Sequence, residues 1–161
     1  MAYLLDSDVF IQAKNRHYGF DFCPAFWDWI VAKNQQGTLF SISRVANELI
    51  DGNDQLADWA STRDPGFFLE PDPVTLPALS TVSEWAMNQG FTPAAINSFF
   101  QAADFYLIAQ ALAHRHIVVT HEVPANTVQR IKIPNVCIGL GIQHLNPFEM
   151  LRVERARFIL G

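Results

Sequence analysis

Ala2-Tyr3-Leu4-Leu5-Asp6-Ser7-Asp8 is the stretch that decides the fold class. An apolar run stops abruptly in two carboxylates, with no glycine or proline between them. A run this short is poor material for a buried helix. It suits a strand covered on both faces, the usual condition in a parallel sheet. Acids directly after such a strand then sit at the carboxyl edge of the sheet, where open α/β folds form their sites.

The segments beyond it alternate in the same sense. Residues 9–16 have helical character, and Pro24 opens a helix over 24–35 in which Phe26, Trp29, Ile30 and Lys33 share one face. Gly37 stops that helix, and residues 38–42 form a second strand. Ser43 suits the N-cap of a helix over 43–51, with Gly52 at its C-cap. Residues 54–62 predict another short helix, 64–66 a turn and 67–69 a brief strand. A proline-bearing stretch at 71–77 leads into a helix ending near Gly90, and 93–116 is the longest helical segment, with a break near Asn97. The β-branched run 117–120 is a buried strand, 135–142 a final strand weakened by glycines, and Pro147 starts a last helix over 148–157. Strands alternating with helices predict a three-layer α/β fold, with a central, mostly parallel sheet flanked by helices and residues 1–161 as a single domain.

Bulk properties narrow the function. Half of the 161 residues are apolar and only 17% are charged, so the chain can bury a substantial core and is not a disordered segment. No apolar run approaches the roughly 20 residues that span a bilayer, and Met1-Ala2-Tyr3-Leu4-Leu5-Asp6 lacks the basic head of a secretion signal. The expectation is a cytoplasmic protein without a membrane partner. Cys23 and Cys137 stand far apart with no CxxC, which excludes a disulfide framework and leaves two reduced, packed thiols. The net charge of −5 argues against a simple polyanion binder, but its distribution is uneven. Residues 1–104 carry 5 basic and 13 acidic groups, whereas residues 105–161 carry 6 basic and 3 acidic ones. An acidic half suited to cations thus adjoins a basic tail suited to phosphate; solvated faces with chance asymmetry would look the same.

The carboxylates give the chemistry. Asp6 and Asp8 follow the first strand, Thr120-His121-Glu122 follows the strand at 117–120, Glu48 lies in the helix after the second strand, and Asp104 lies near the start of the helix feeding the third. Acids from separated segments therefore converge at one edge. Close like charges raise one another's pKa values or recruit a cation. All-oxygen ligands suit Mg2+ or Mn2+ rather than zinc. Simpler roles exist for two of them: Asp8 could cap the first helix, and Glu48 could be an exposed helix residue. Asp104, beside Ala102-Ala103 and ahead of Phe105-Tyr106-Leu107-Ile108, needs a partner or a metal in so apolar a stretch.

Taken in order, Leu4-Leu5-Asp6-Ser7-Asp8-Val9-Phe10-Ile11, Ser43-Arg44-Val45-Ala46-Asn47-Glu48-Leu49, Ala103-Asp104-Phe105-Tyr106-Leu107-Ile108-Ala109 and Val118-Val119-Thr120-His121-Glu122 resemble the motifs of the PIN-domain nucleases over most of the chain. Ile11-Gln12-Ala13-Lys14-Asn15, Phe20-Asp21-Phe22-Cys23-Pro24, Phe26-Trp27-Asp28-Trp29, the stretch from Arg130 to Cys137 and the stretch from Leu145 to Leu151 resemble a PIN-like branch associated with bacterial toxin–antitoxin loci. The resemblance implies a PIN-like domain and a Mg2+- or Mn2+-dependent endoribonuclease leaving 5′-phosphate and 3′-hydroxyl ends. It implies RNA as substrate, a cognate antitoxin protein as partner and pairing into a homodimer. It assigns catalysis to Asp6, Glu48, Asp104 and Glu122, and metal binding to these four together with Asp8. Ser43 and Thr120 take supporting roles. Two positions depart from the pattern: Glu122 stands where Asp or Asn is usual, and Asp8 where Asn, Ser or Thr is common.

Lys14, Arg44, Arg130 and Lys132 are candidate phosphate contacts, each equally at home as a solvated charge. Phe26, Trp27 and Trp29 could stack bases, but their spacing suits core packing. No histidine pair has metal-ligand spacing, although His121 adjoins the acids. Two other functions compete. An aspartate-nucleophile phosphatase also ends its first strand in Asp-x-Asp, but it needs later aspartates and none follows Asp104. A catalytically weak module binding RNA or protein would tolerate an altered ligand such as Glu122.

Overall fold

A computed structural model describes residues 1–160. Five strands form one sheet in the order β3-β2-β1-β4-β5, and every pairing is parallel. They are β1 (Tyr3–Leu5), β2 (Leu39–Ile42), β3 (Phe68–Leu69), β4 (Ile117–Val119) and β5 (His144–Leu145). The central strand β1 sets the register, with Tyr3 opposite Leu39 on one side and Ile117 on the other. Successive side chains of a strand point to opposite faces. Since Tyr3, Leu4, Leu5, Val118 and Val119 are all buried, both faces of the sheet are covered by helices. That is the three-layer arrangement expected from the alternating sequence.

The helices among the described residues are α1 (Ser7–Gln12), α2 (Pro24–Gln35), α3 (Ser43–Asp51), α4 (Gln55–Ser61), α5 (Thr75–Met87), α6 (Pro93–Gln101), α7 (Ala103–His114), α8 (Ile133–Leu140) and α9 (Pro147–Val153). None is long and apolar enough to cross a membrane. Phe26 and Trp27 are buried in the core, so they are not free to stack bases; the Trp27 indole N–H donates to the Tyr18 carbonyl at 2.7 Å.

Several expectations need correction. The stretch 135–142 is not a strand but lies largely in helix α8. Its apolar residues Ile133, Val136 and Cys137 recur at helical spacing and are fully buried, while Ile138 faces out. Pro134 stands in the first turn, and Gly141 closes the helix at φ 69°, a left-handed position that favours glycine. The final strand is the two-residue β5, too short for periodicity to reveal. Ser43 is the first residue of α3 rather than its N-cap; Ile42 occupies the cap without a side-chain bond. The long helical segment breaks at Ala102, with extended ψ 155°, not near Asn97. The first helix changes character after Gln12: residues Ala13–His17 form a π-helical turn, with the Tyr18 N–H donating to the Ala13 carbonyl at 2.7 Å.

Candidate functional site

The chain leaves β1 toward β2 and β3 on one side, then returns to place β4 and β5 on the other. The reversal lies between β1 and β4, and the crevice outside their carboxyl ends is where such sheets bind ligands. Asp6 and Asp8 emerge there from β1, and Thr120, His121 and Glu122 from β4.

Asp6 is held from two sides. Its carboxylate accepts from the Ser7 N–H at 2.8 Å, capping α1, and from the Thr120 hydroxyl at 2.9 Å. The same hydroxyl accepts from the Glu122 N–H at 3.1 Å and lies 3.2 Å from Asp8 Oδ2. Asp8 does not cap α1; it accepts from the His121 N–H at 3.2 Å. Glu122 reaches back with Oε1 to the Ile133 N–H at 3.0 Å, and with Oε2 to the Arg130 guanidinium at 3.2 Å. Carboxylate oxygens of Asp6, Asp8 and Glu122, one from each, lie within 4.8 Å of one another.

Burial and mutual repulsion show in the proton affinities. Desolvation, then the charges of Asp8, Asp104 and Glu122, hold the Asp6 carboxyl well above its ordinary range, against the lowering bond from Thr120. The Asp104 carboxyl is pushed up to about 7, chiefly by desolvation and then by Glu122 and Glu48, with Arg130 opposing. Asp104 therefore borders the same field. Glu48 is exposed on α3 and felt only through its charge, so it stands at the rim.

The other candidates separate. Thr120 bridges the acids directly, whereas Ser43 makes no side-chain hydrogen bond among the described residues. The Lys14 ammonium is held by Asp54 at 3.0 Å, and the Arg44 guanidinium stacks 3.7 Å over the Tyr106 ring; neither touches the carboxylates. Arg130 does, through Glu122, and Lys132 occupies the N-cap position of α8 next to Ile133. A cleft of about 310 Å³, lined by Ser98, Phe99, Asp104, Gln129 and Arg130 among others, opens beside the acids. A larger cavity of about 370 Å³ lies at the opposite edge, around Met1, Arg115 and His116, remote from the carboxylates.

Sequence reading missed one component. The imidazoles of His17 and His121 stack with centroids 5.6 Å apart, and Phe148 packs edge-on against both, at 5.1 and 5.7 Å. Burial lowers the His121 pKa; Asp8 raises it and His17 lowers it further. The proximity of His121 to the acids was legible, but nothing in the residue pattern announced the π-helical turn that brings His17 across.

The donor set suits a hard divalent cation, being all carboxylate, partly buried and short of protein cations except Arg130. Trans ligands of Mg2+ lie about 4.2 Å apart at metal–oxygen distances near 2.1 Å.

Parallel sheet, strand order and carboxyl-edge acids together define a PIN-like fold. The solved structures agree. VapBC2 from Rickettsia felis, bound to a DNA fragment from its promoter, superposes with a TM-score of 0.59 at 15% identity, over 91% of this chain and 98% of that one. FitAcB from Neisseria gonorrhoeae gives 0.55 at 18% identity over 91% and 98%, and FitAB bound to the IR36 DNA fragment gives 0.56 at 17% over 91% and 95%. No curated protein matches the sequence at a significant level. The profile described as "Domain of unknown function (DUF4411)" matches residues 3–158, and the chain belongs to that family.

Proposed function

We propose that the chain is a Mg2+- or Mn2+-dependent endoribonuclease, acting as one domain, with Asp6, Asp8 and Glu122 holding the cation and Asp104 and Glu48 completing the acidic rim. The observation that carries this reading is the convergence of three carboxylate oxygens within 4.8 Å at the switch point of a PIN-like sheet. A divalent cation held by these carboxylates would lower the pKa of a bound water and neutralise charge on the phosphodiester. Thr120 fixes the Asp6 carboxylate through its hydroxyl and the Glu122 backbone through its oxygen, so the two acids keep their spacing. The Asp104 carboxyl, held up to about 7 by burial and by Glu122 and Glu48 when no cation is bound, would ionise beside a dication and add its charge to the rim. Arg130, whose side chain is 63% exposed, faces the cleft and can contact phosphate oxygens; Lys132 lies two residues on. Lys14 and Arg44 take no part, since each is engaged away from the acids.

The toxin–antitoxin role rests on the sequence resemblance, and VapBC2 and FitAB share the fold. On that basis the chain has a cognate antitoxin as partner and pairs with a second copy. A binding module without cleavage is the second reading, favoured by the engagement of both Glu122 oxygens, one by Ile133 and one by Arg130. Incubating end-labelled single-stranded RNA with Mn2+ and the unsubstituted chain, Asp6→Asn or Asp104→Asn separates the readings. Cleavage to 5′-phosphate ends by the unsubstituted chain, with at least about 100-fold loss in both variants, is expected. Equal cleavage by all three overturns the site, and RNA retention without cleavage favours the module.

A further inference from the structure

The His17–His121–Phe148 cluster has no place in the metal chemistry, yet it touches it. The carboxylate of Asp8 accepts from the His121 backbone N–H, so the ring begins one residue's reach from the acids. The ring itself is held by stacking on His17 at 29° between planes and by the edge of Phe148, not by a hydrogen bond among the described residues. His17 is exposed, while His121 and Phe148 are half-buried. Three rings from three remote segments thus present a partly open aromatic surface beside the carboxylates.

The backbone that delivers His17 is unusual. A π-helical turn widens the ladder by one residue, which turns the following chain by about 100° relative to a continuous α-helix. Ala13–His17 is such a turn, and it ends on His17. Turns of this kind are uncommon and recur at functional sites. The core gains nothing evident from placing an exposed imidazole there.

We propose that His17, His121 and Phe148 form a base-stacking subsite, taking the nucleobase next to the scissile phosphate of a single-stranded RNA. The inference rests on the ribonuclease reading above. It adds that the enzyme grips one unpaired base, which requires an unpaired or splayed strand at the cut. Stacking accepts any base because each has a π-face, and the exposed His17 ring, backed by the His121 ring on which it stacks, offers such a face at little cost in side-chain freedom. Duplex RNA keeps its bases inside the helix and cannot use the subsite.

The experiment measures binding of a fluorescein-labelled single-stranded oligoribonucleotide by anisotropy. Ca2+ replaces Mg2+ or Mn2+, so that binding is read apart from turnover. A set of oligonucleotides carries one abasic residue walked along the sequence, and the chains are the unsubstituted protein, His17→Ala and His17→Trp. His17 is exposed, so both variants are expected to fold, which circular dichroism checks. Base–aromatic stacking leads to an expected loss of about 5- to 10-fold in affinity for His17→Ala on intact RNA. His17→Trp should retain or exceed the original affinity. At one abasic position the affinity should fall by a similar factor, and His17→Ala should cause no further loss there, since base and ring are removed from the same contact. A His17→Ala loss that persists unchanged on every abasic oligonucleotide, or no loss at all, overturns the subsite while leaving the ribonuclease reading intact. Absence of saturable RNA binding by the unsubstituted chain overturns both.

Discussion

Asp104→Asn should stabilise the metal-free protein, and the gain should grow with pH. The Asp104 carboxyl is raised from 3.8 to about 7, first by desolvation and then by Glu122 and Glu48. In the unfolded chain the group ionises near 3.9. Between these values the folded chain holds a proton that the unfolded chain has released. Folded stability is therefore present at low pH and lost as pH rises through 7. At 1.36 kcal/mol for each tenfold change in proton affinity, the full loss above pH 7 is on the order of 4 kcal/mol. Asparagine is nearly isosteric and never ionises, so it escapes that loss. The stability difference between the two chains should widen by about 3 kcal/mol from pH 5 to pH 8. For a chain of this length that is roughly 6–12 °C in Tm.

His116 and His121 have lowered pKa values and push the other way, since the unfolded chain takes up their protons first. They are common to both chains and cancel in the difference, which reports Asp104 together with the relief its removal gives the neighbouring Asp6 carboxyl. Thermal melts in EDTA at pH 5 and pH 8 provide the comparison. A variant equal to or less stable than the parent at pH 8, or a difference that does not widen, would refute the electrostatic account. Saturating Mn2+ at pH 8 should narrow the difference by stabilising the parent, by about 2.7 kcal/mol at 100 times Kd.

Thr120→Val removes the hydroxyl that bonds Asp6 and the Glu122 N–H, so Mn2+ affinity should fall about 10- to 100-fold in a calorimetric titration; unchanged affinity would strip Thr120 of its positioning role. Gly139→Ala places a Cβ against the Trp85 indole, and should cost about 1–3 kcal/mol in urea unfolding despite alanine's better helix propensity. Gly141→Ala forces a left-handed cap at φ 69° on an L side chain and should cost about 1–2 kcal/mol in the same assay. A neutral result for either change would mean that α8 adjusts more freely than its packing indicates.

The sheet was legible because β1 and β4 are buried on both faces and so read as unbroken apolar runs ending in polar residues. Helix α2 was legible to its ends, since Pro24 and Gly37 punctuate it in sequence. Residues 135–142 misled because a short apolar run with β-branched residues satisfies strand and helix alike; the arbiters, Pro134 in the first turn and Gly141 in the left-handed cap, lie at its margins. Of the site, Asp6, Asp8 and Glu122 were legible as acids after strands, and the structure brings them together. Glu48 and Asp104 were legible as acids on helices, but helix position alone could not show that Asp104 is half-buried beside the cluster and Glu48 exposed at its rim. The pairing of Lys14 with Asp54 was not legible because the two lie 40 positions apart. The His17–His121 stack depends on a change of helix type, which leaves no mark in apolar periodicity.

The central claim is that the carboxylates around Asp6 hold a divalent cation. Titrating Mn2+ into the protein while following the electron paramagnetic resonance signal of free Mn2+ tests it directly. Saturable binding by the unsubstituted chain at pH 8, weakened at least about 10-fold by Asp6→Asn and weaker at pH 5 where Asp6 and Asp104 hold their protons, is the predicted result. Binding that Asp6→Asn leaves unchanged, or no saturable binding by the unsubstituted chain, would contradict it.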